Sequence, residues 1–75
     1  MEVSSATPDA QGVRLIPLSE VTRLTGRRRS RIYAEIKAGR FPQIVRDGAS
    51  SRWVESEIFA WNAARVRERD AKAAA

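Results

Sequence analysis

Neither cysteine nor histidine occurs anywhere in the 75 residues of this chain. That absence removes disulfides, Cys/His zinc sites, haem ligation and every catalytic constellation built on a thiol or an imidazole. Small domains often rely on such staples, because a core of this size supplies only about 3–5 kcal/mol of net stability. The fold must therefore rest on apolar packing. A composition of 43% hydrophobic and 31% charged residues suits one small globular domain. No apolar run approaches the roughly 18 residues that span a bilayer. Met1–Gly12 lacks both the basic start and the apolar stretch of a secretion signal, and the lack of cysteine is compatible with a reducing cytoplasm. No cofactor, metal or small-molecule site is legible.

Glycine and proline divide the chain. Residues 1–12 are small and polar, with Pro8 and Gly12, and read as a flexible arm. Val13–Ile16 reads as a short strand or an extended entry, with Val13 and Leu15 on one face and Pro17 as its stop. A first helix follows from Leu18, with Ser19 as candidate N-cap, Glu20 at the positive end of the dipole, and Leu18, Val21 and Leu24 on its core side. Gly26 ends it. A second helix is expected from about Arg28 to Ala38, closed by Gly39, with Ile32 and Ile36 inward, Tyr33 on the flank and Ser30, Arg31, Ala34 and Ala38 outward. Two short helices around a glycine turn make a helix-turn-helix pattern.

Phe41-Pro42 then closes the pair, and Ile44–Arg46 and Ser51–Trp53 read as strands around Asp47-Gly48, with room for a loop longer than the tightest turn. A hairpin in that place is a wing. A third helix starts at Glu55, its acids early and Arg65, Arg67 and Arg69 late, as the dipole favours. Val54, Ile58 and Trp61 form its core stripe, with Phe59 beside it. Residues 70–75 read as a fraying tail. The expected architecture is mostly α with a small β-hairpin: a winged helix-turn-helix of three helices over residues 13–69.

Charge points to the partner. The net charge is +5, yet residues 23–52 hold nine bases and two acids, so this middle carries +7 and the flanks −2. Such a basic centre suits a polyanion. Arg27, Arg28 and Arg29 sit at the entry of the second helix, where cations oppose the dipole at about 0.3–1 kcal/mol each. They make sense there if a phosphate is the neighbour, since free helix N–H groups also seek anions. Ser30, Arg31 and Ala34 face outward and suit a major groove, with Arg31 the candidate base reader or, alternatively, an i+4 partner of Glu35. Lys37 reaches backbone from the margin, and the Tyr33 hydroxyl can reach a phosphate while its ring packs. Arg46 and Arg52 straddle the wing tip.

Trp53 and Trp61 fit the core better than base stacking, because their spacing joins them to the third helix's apolar stripe. The acids carry no catalytic arrangement, so no enzyme is expected. The bland alternative is a solvated basic surface whose arginine stems cover core edges.

Several segments occur together in a recognisable order: Leu15–Val21, Thr25-Gly26, Arg29–Tyr33, Ile36–Pro42 and Arg52–Ile58 with Trp61. From Arg14 to about Arg65 the chain resembles the AlpA-like phage and prophage regulators, small winged-helix proteins related to excisionases and to the MerR-type DNA-binding domain. The resemblance implies a DNA-contacting helix over Arg29, Ser30, Arg31, Tyr33 and Lys37, and a wing over residues 46–52. It departs at Arg27, where that family has an apolar residue, and at Arg28, where it commonly has a capping serine.

The expected function is sequence-specific binding of double-stranded DNA as a regulator of a prophage or mobile element in a bacterial cytoplasm, with self-association on DNA as an option. An excisionase-type DNA-bending factor is the near alternative, and an adaptor binding an acidic protein the distant one. RNA suits the helix less, since its deep major groove is too narrow.

Overall fold

A computed structural model describes residues 13–74, so the arm expected over residues 1–12 lies outside the described residues. The element order is β1 (Leu15–Pro17), α1 (Leu18–Thr25), α2 (Arg29–Lys37), β2 (Val45–Asp47), β3 (Ser50–Val54) and α3 (Glu55–Ala74). The three strands form one antiparallel sheet in the order β1-β3-β2. This is the mostly helical winged helix-turn-helix expected, with one strand more than the hairpin needs.

That strand is β1, and its pairing with β3 sets Ile16 opposite Trp53. Successive side chains of a strand point to opposite faces. Ile16 and Trp53 therefore share the core face, and Leu15 lies on the outer one. Ile16 is buried, whereas Val13 and Leu15 are exposed. The core is completed by Val21, Ile32, Phe41 and Ile58, with Leu18, Leu24, Tyr33, Ile36, Ile44 and Trp61 packed around it.

Both helix ends near the turn follow from glycine. Gly26 takes φ +73° and its N–H donates to Thr22 O at 2.8 Å, closing α1. At the end of α2, Gly39 has φ +78°, its N–H meets Ile36 O at 3.0 Å, and the Arg40 N–H meets Glu35 O at 2.9 Å. Those two bonds form a Schellman motif.

The start of α1 differs from expectation. Pro17 is its N-cap and Ser19 lies inside the helix. With Pro17 in extended backbone the helix begins at Leu18, so Ser19 falls inside the first turn and has no cap to make. The wing differs too. Asp47 pairs with Ser50, leaving only Gly48 and Ala49 as the turn. Gly48 has φ +65° and Ala49 does not have a positive φ, the sign pattern of a type II′ turn. The helix α3 continues to Ala74, through residues expected to fray. Alanine is the best helix former, and no glycine or proline interrupts this stretch. Phe59 is half exposed rather than buried beside Ile58.

Candidate nucleic-acid interface

The exposed side of α2 is organised by helical spacing. Residues four apart lie nearly one above the other. Ser30, Ala34 and Ala38 make a central strip of small, exposed side chains. Along one border run Arg29, Tyr33 and Lys37, and along the other Arg31 leads past Glu35 to Arg40. A strip that admits close approach thus lies between two cationic rails.

The first rail meets the wing. Arg46 lies opposite Ser51 in the β2–β3 register, so both share the face of Trp53. The Arg46 Nη1 donates to Ser51 Oγ at 3.1 Å. An open groove of about 540 Å³ runs between Arg29, Ser30 and Tyr33 on α2 and Arg46 and Ser51 on the wing. Tyr33 lines it, half-buried. The Tyr33 ring packs edge-on against Trp53 with centroids 6.2 Å apart, and the Arg29 guanidinium lies 5.5 Å from the Tyr33 ring centre.

Arg52 is not part of that groove. It stands opposite Val45 and Pro17 on the outer sheet face, with its Nε 4.0 Å from Asp47 Oδ2. The two-residue turn fixes this separation of Arg46 from Arg52.

The entry to α2 carries no side-chain cap. Arg28 occupies the N-cap position with extended backbone (φ −83°, ψ 165°), and the first turn contains no acid. Arg28, Arg29, Ser30 and Arg31 are all exposed there. Arg27 behaves differently. Its backbone N–H donates to Thr25 Oγ1 at 3.2 Å, and its side chain turns inward, 4.9 Å from the Trp61 ring centre and 3.3 Å from Glu35. An arginine stem can cover apolar surface while its head finds a charge partner.

The second rail is anchored on Glu35, a buried carboxylate that the sequence reading treated only as a possible partner of Arg31. It accepts hydrogen bonds from Arg31 Nε at 2.9 Å, Arg27 Nη1 at 3.3 Å and Arg40 Nε at 3.4 Å. The Arg31 hydrogen bond, with the charges of Arg40 and Arg27 beside it, holds the Glu35 carboxyl below its ordinary range despite the opposing effect of burial. Arg40 was not singled out from the sequence. The signal was present in Gly39, since a left-handed residue after a helix turns the next one back over its last turn. Glu35 itself gave a weaker signal, because two of its three partners lie outside its helix.

Behind this surface, Trp61 fixes the loop after α2. Its Nε1 donates to Arg40 O at 2.7 Å, and its ring lies 4.9 Å from that of Phe41. Asn62 Nδ2 donates to Leu24 O at 3.1 Å and ties α3 to the end of α1. Both tryptophans therefore serve the fold, Trp53 buried and Trp61 half-buried. Among the described residues no group of His, Cys, Asp and Glu is placed to hold a metal ion, and no helix is long and apolar enough to cross a membrane.

Comparison with known proteins places the chain in a family. A curated relative, the uncharacterized protein ORF88 of Enterobacteria phage P4, is 40% identical over 63 residues, covering 83% of this chain and 72% of its own. No solved structure matches. The family model described as the prophage CP4-57 regulatory protein (AlpA) matches residues 14–66, which take in every element from β1 to the inner part of α3. The chain belongs to this AlpA family of phage regulatory proteins.

Proposed function

We propose that the protein binds double-stranded DNA sequence-specifically and regulates transcription of a prophage or mobile element, acting on the nucleoid of a bacterial cytoplasm. The observation that carries this reading is the strip Ser30–Ala34–Ala38 between two rails of exposed cations. A B-form major groove is about 12 Å wide and accepts one α-helix. Small residues in mid-helix let the backbone approach the base edges, and the flanking cations fall beside the two phosphate walls. In this reading Ser30, Arg31 and Ala34 face base edges. Arg28, Arg29 and Lys37 bind phosphates, with the Tyr33 hydroxyl beside them. The wing places Arg46 on neighbouring backbone or minor groove, and Arg52 meets the strand from the outer sheet face. Arg27 is occupied by Glu35 and Trp61 and serves the interface by supporting it.

The test is selection of bound duplexes from a random pool, followed by affinity against salt. The expected result is an enriched motif, with log affinity falling by about 0.9 per phosphate contacted for each unit of log salt. Half-site spacing in the motif would count the copies that load together. A steep slope with no motif, joined to a large bend in permuted-site mobility, would replace regulation with an architectural role in recombination. Binding that ignores salt would overturn the DNA reading.

A further inference from the structure

Glu35 is the one buried charged side chain among the described residues. It lies at the edge of the exposed strip of α2, and its contacts are directional. Arg31 and Arg40 each donate through Nε, Arg31 to Oε2 and Arg40 to Oε1. A guanidinium held by Nε keeps its two Nη groups available. Among the described residues no protein acceptor bonds the Nη groups of Arg31 or Arg40. The Nη groups form part of the planar fork with which arginine grips two acceptors of a phosphate or a guanine. Both side chains are otherwise open, 61% and 65% exposed.

The backbone adds a second restraint. The Schellman motif at Gly39 bonds the Arg40 N–H to Glu35 O, so Arg40 is tied to residue 35 through main chain and side chain together. Arg27 meets the same carboxylate from within and stacks on Trp61, which stiffens the cluster from behind. Three guanidiniums around one carboxylate leave a local charge of +2, and the two outer ones face solvent.

We propose that Glu35 is a positioning residue that holds Arg31 and Arg40 as two preformed guanidinium forks, the first for a base edge and the second for a DNA phosphate at the rail away from the wing. This rests on the DNA-binding reading above and adds Arg40 and Glu35 to its machinery. Holding a fork in its bound geometry lowers the ordering cost of binding. It acts only where the target presents acceptors in the matching place. Through the Arg31 fork, Glu35 therefore acts on the difference between specific and random DNA.

The experiment compares two duplexes of equal length, one carrying the selected motif and one random. Glu35→Gln keeps the shape and removes the charge that orients the forks. Its affinity for random DNA should hold or rise, because one negative charge is gone, while the ratio of specific to random affinity falls about tenfold. Arg31→Ala should lower that ratio by about tenfold in the native background and by much less beside Glu35→Gln. Arg40→Ala should weaken both duplexes and lower the salt slope by about one. Because Arg40 is exposed, this variant keeps the inference testable even if Glu35→Gln unfolds. Circular dichroism below the melting temperature checks that each variant is folded. An unchanged ratio in folded Glu35→Gln overturns the positioning of the Arg31 fork. An unchanged salt slope in Arg40→Ala overturns the second fork. If the native protein itself shows no salt-dependent binding, it is the DNA reading that fails.

Discussion

At Arg28 the backbone has the extended conformation of an N-cap, and a side chain that cannot cap occupies it. Serine in this place would accept a first-turn N–H, a gain of about 0.5–2 kcal/mol. Arg28→Ser should therefore raise the melting temperature, by about 4–8 °C for each kcal/mol in a domain of this size. The same change should lower the salt slope of DNA binding by about one. Thermal melts and salt titrations of one variant measure both sides of this exchange. Glu35 offers a second residue-scale test. Its carboxyl titrates below its ordinary value of 4.5, chiefly through the Arg31 hydrogen bond and then the charges of Arg40 and Arg27. A depressed folded value means that the group stabilises the fold above the unfolded value and loses that contribution as pH falls through the folded one. Denaturant midpoints should fall less steeply below about pH 4.5 in Glu35→Gln than in the native chain. At neutral pH the variant should be the less stable of the two, since three arginines then face one another unneutralised. Residue identity made the rail of Arg29, Tyr33 and Lys37 legible in advance, and Arg31 on the other, but not Arg40. The inward turn of Arg27 was not, because only the folded chain brings Trp61 to it.

At the scale of elements, short turns decide what the side chains can reach. The glycines at 26 and 39 marked both helix ends in the sequence, since left-handed backbone there has a steric cause. The pair Asp47-Gly48 marked the hairpin but not its length. With Gly48 as the first of two turn residues, Arg46 faces α2 and Arg52 faces away. A Cβ at Gly48 would meet open space, so substitution there tests conformation alone. Gly48→Ala should destabilise the wing by about 1–2 kcal/mol through its positive φ. Amide exchange should report the loss in β2 and β3 first, with α2 protected nearly as before. The pairing of β1 with β3 was beyond local reading, since its partners, such as Ile16 and Trp53, lie far apart in sequence. The length of α3 escaped for the opposite reason: its last turns are set by local propensity, and a polar, alanine-rich end looks like a tail.

At the scale of the whole fold, the buried apolar set among the described residues is small and evenly drawn. Ile16, Val21, Ile32, Phe41, Trp53 and Ile58 come from β1, α1, α2, the loop after it, β3 and α3 in turn. Nearly every element thus contributes one fully covered side chain, and β2 contributes none. Removing a single member should be felt globally. Ile32→Ala costs about 2–5 kcal/mol at a fully buried site, against a net stability of about 3–5 kcal/mol for a core this small. Equilibrium unfolding of that variant should show it largely unfolded at 25 °C, or close to it. Val21, Ile32, Phe41, Trp53 and Ile58 were readable as core from apolar spacing, but the burial of Ile16 and the outward placement of Val54, expected in the stripe of α3, follow from the β1–β3 register.

The wing and the long helix also share a junction without a connector. Val54 ends β3 and Glu55 begins α3, and the Glu55 N–H is fastened to Arg14 O at 2.8 Å. Strand and helix are in this sense one rod, bolted to β1 at its bend, with the hairpin tip at one end and twenty residues of helix at the other. With no linker residue in which to swivel, the direction of α3 is set by the direction of β3.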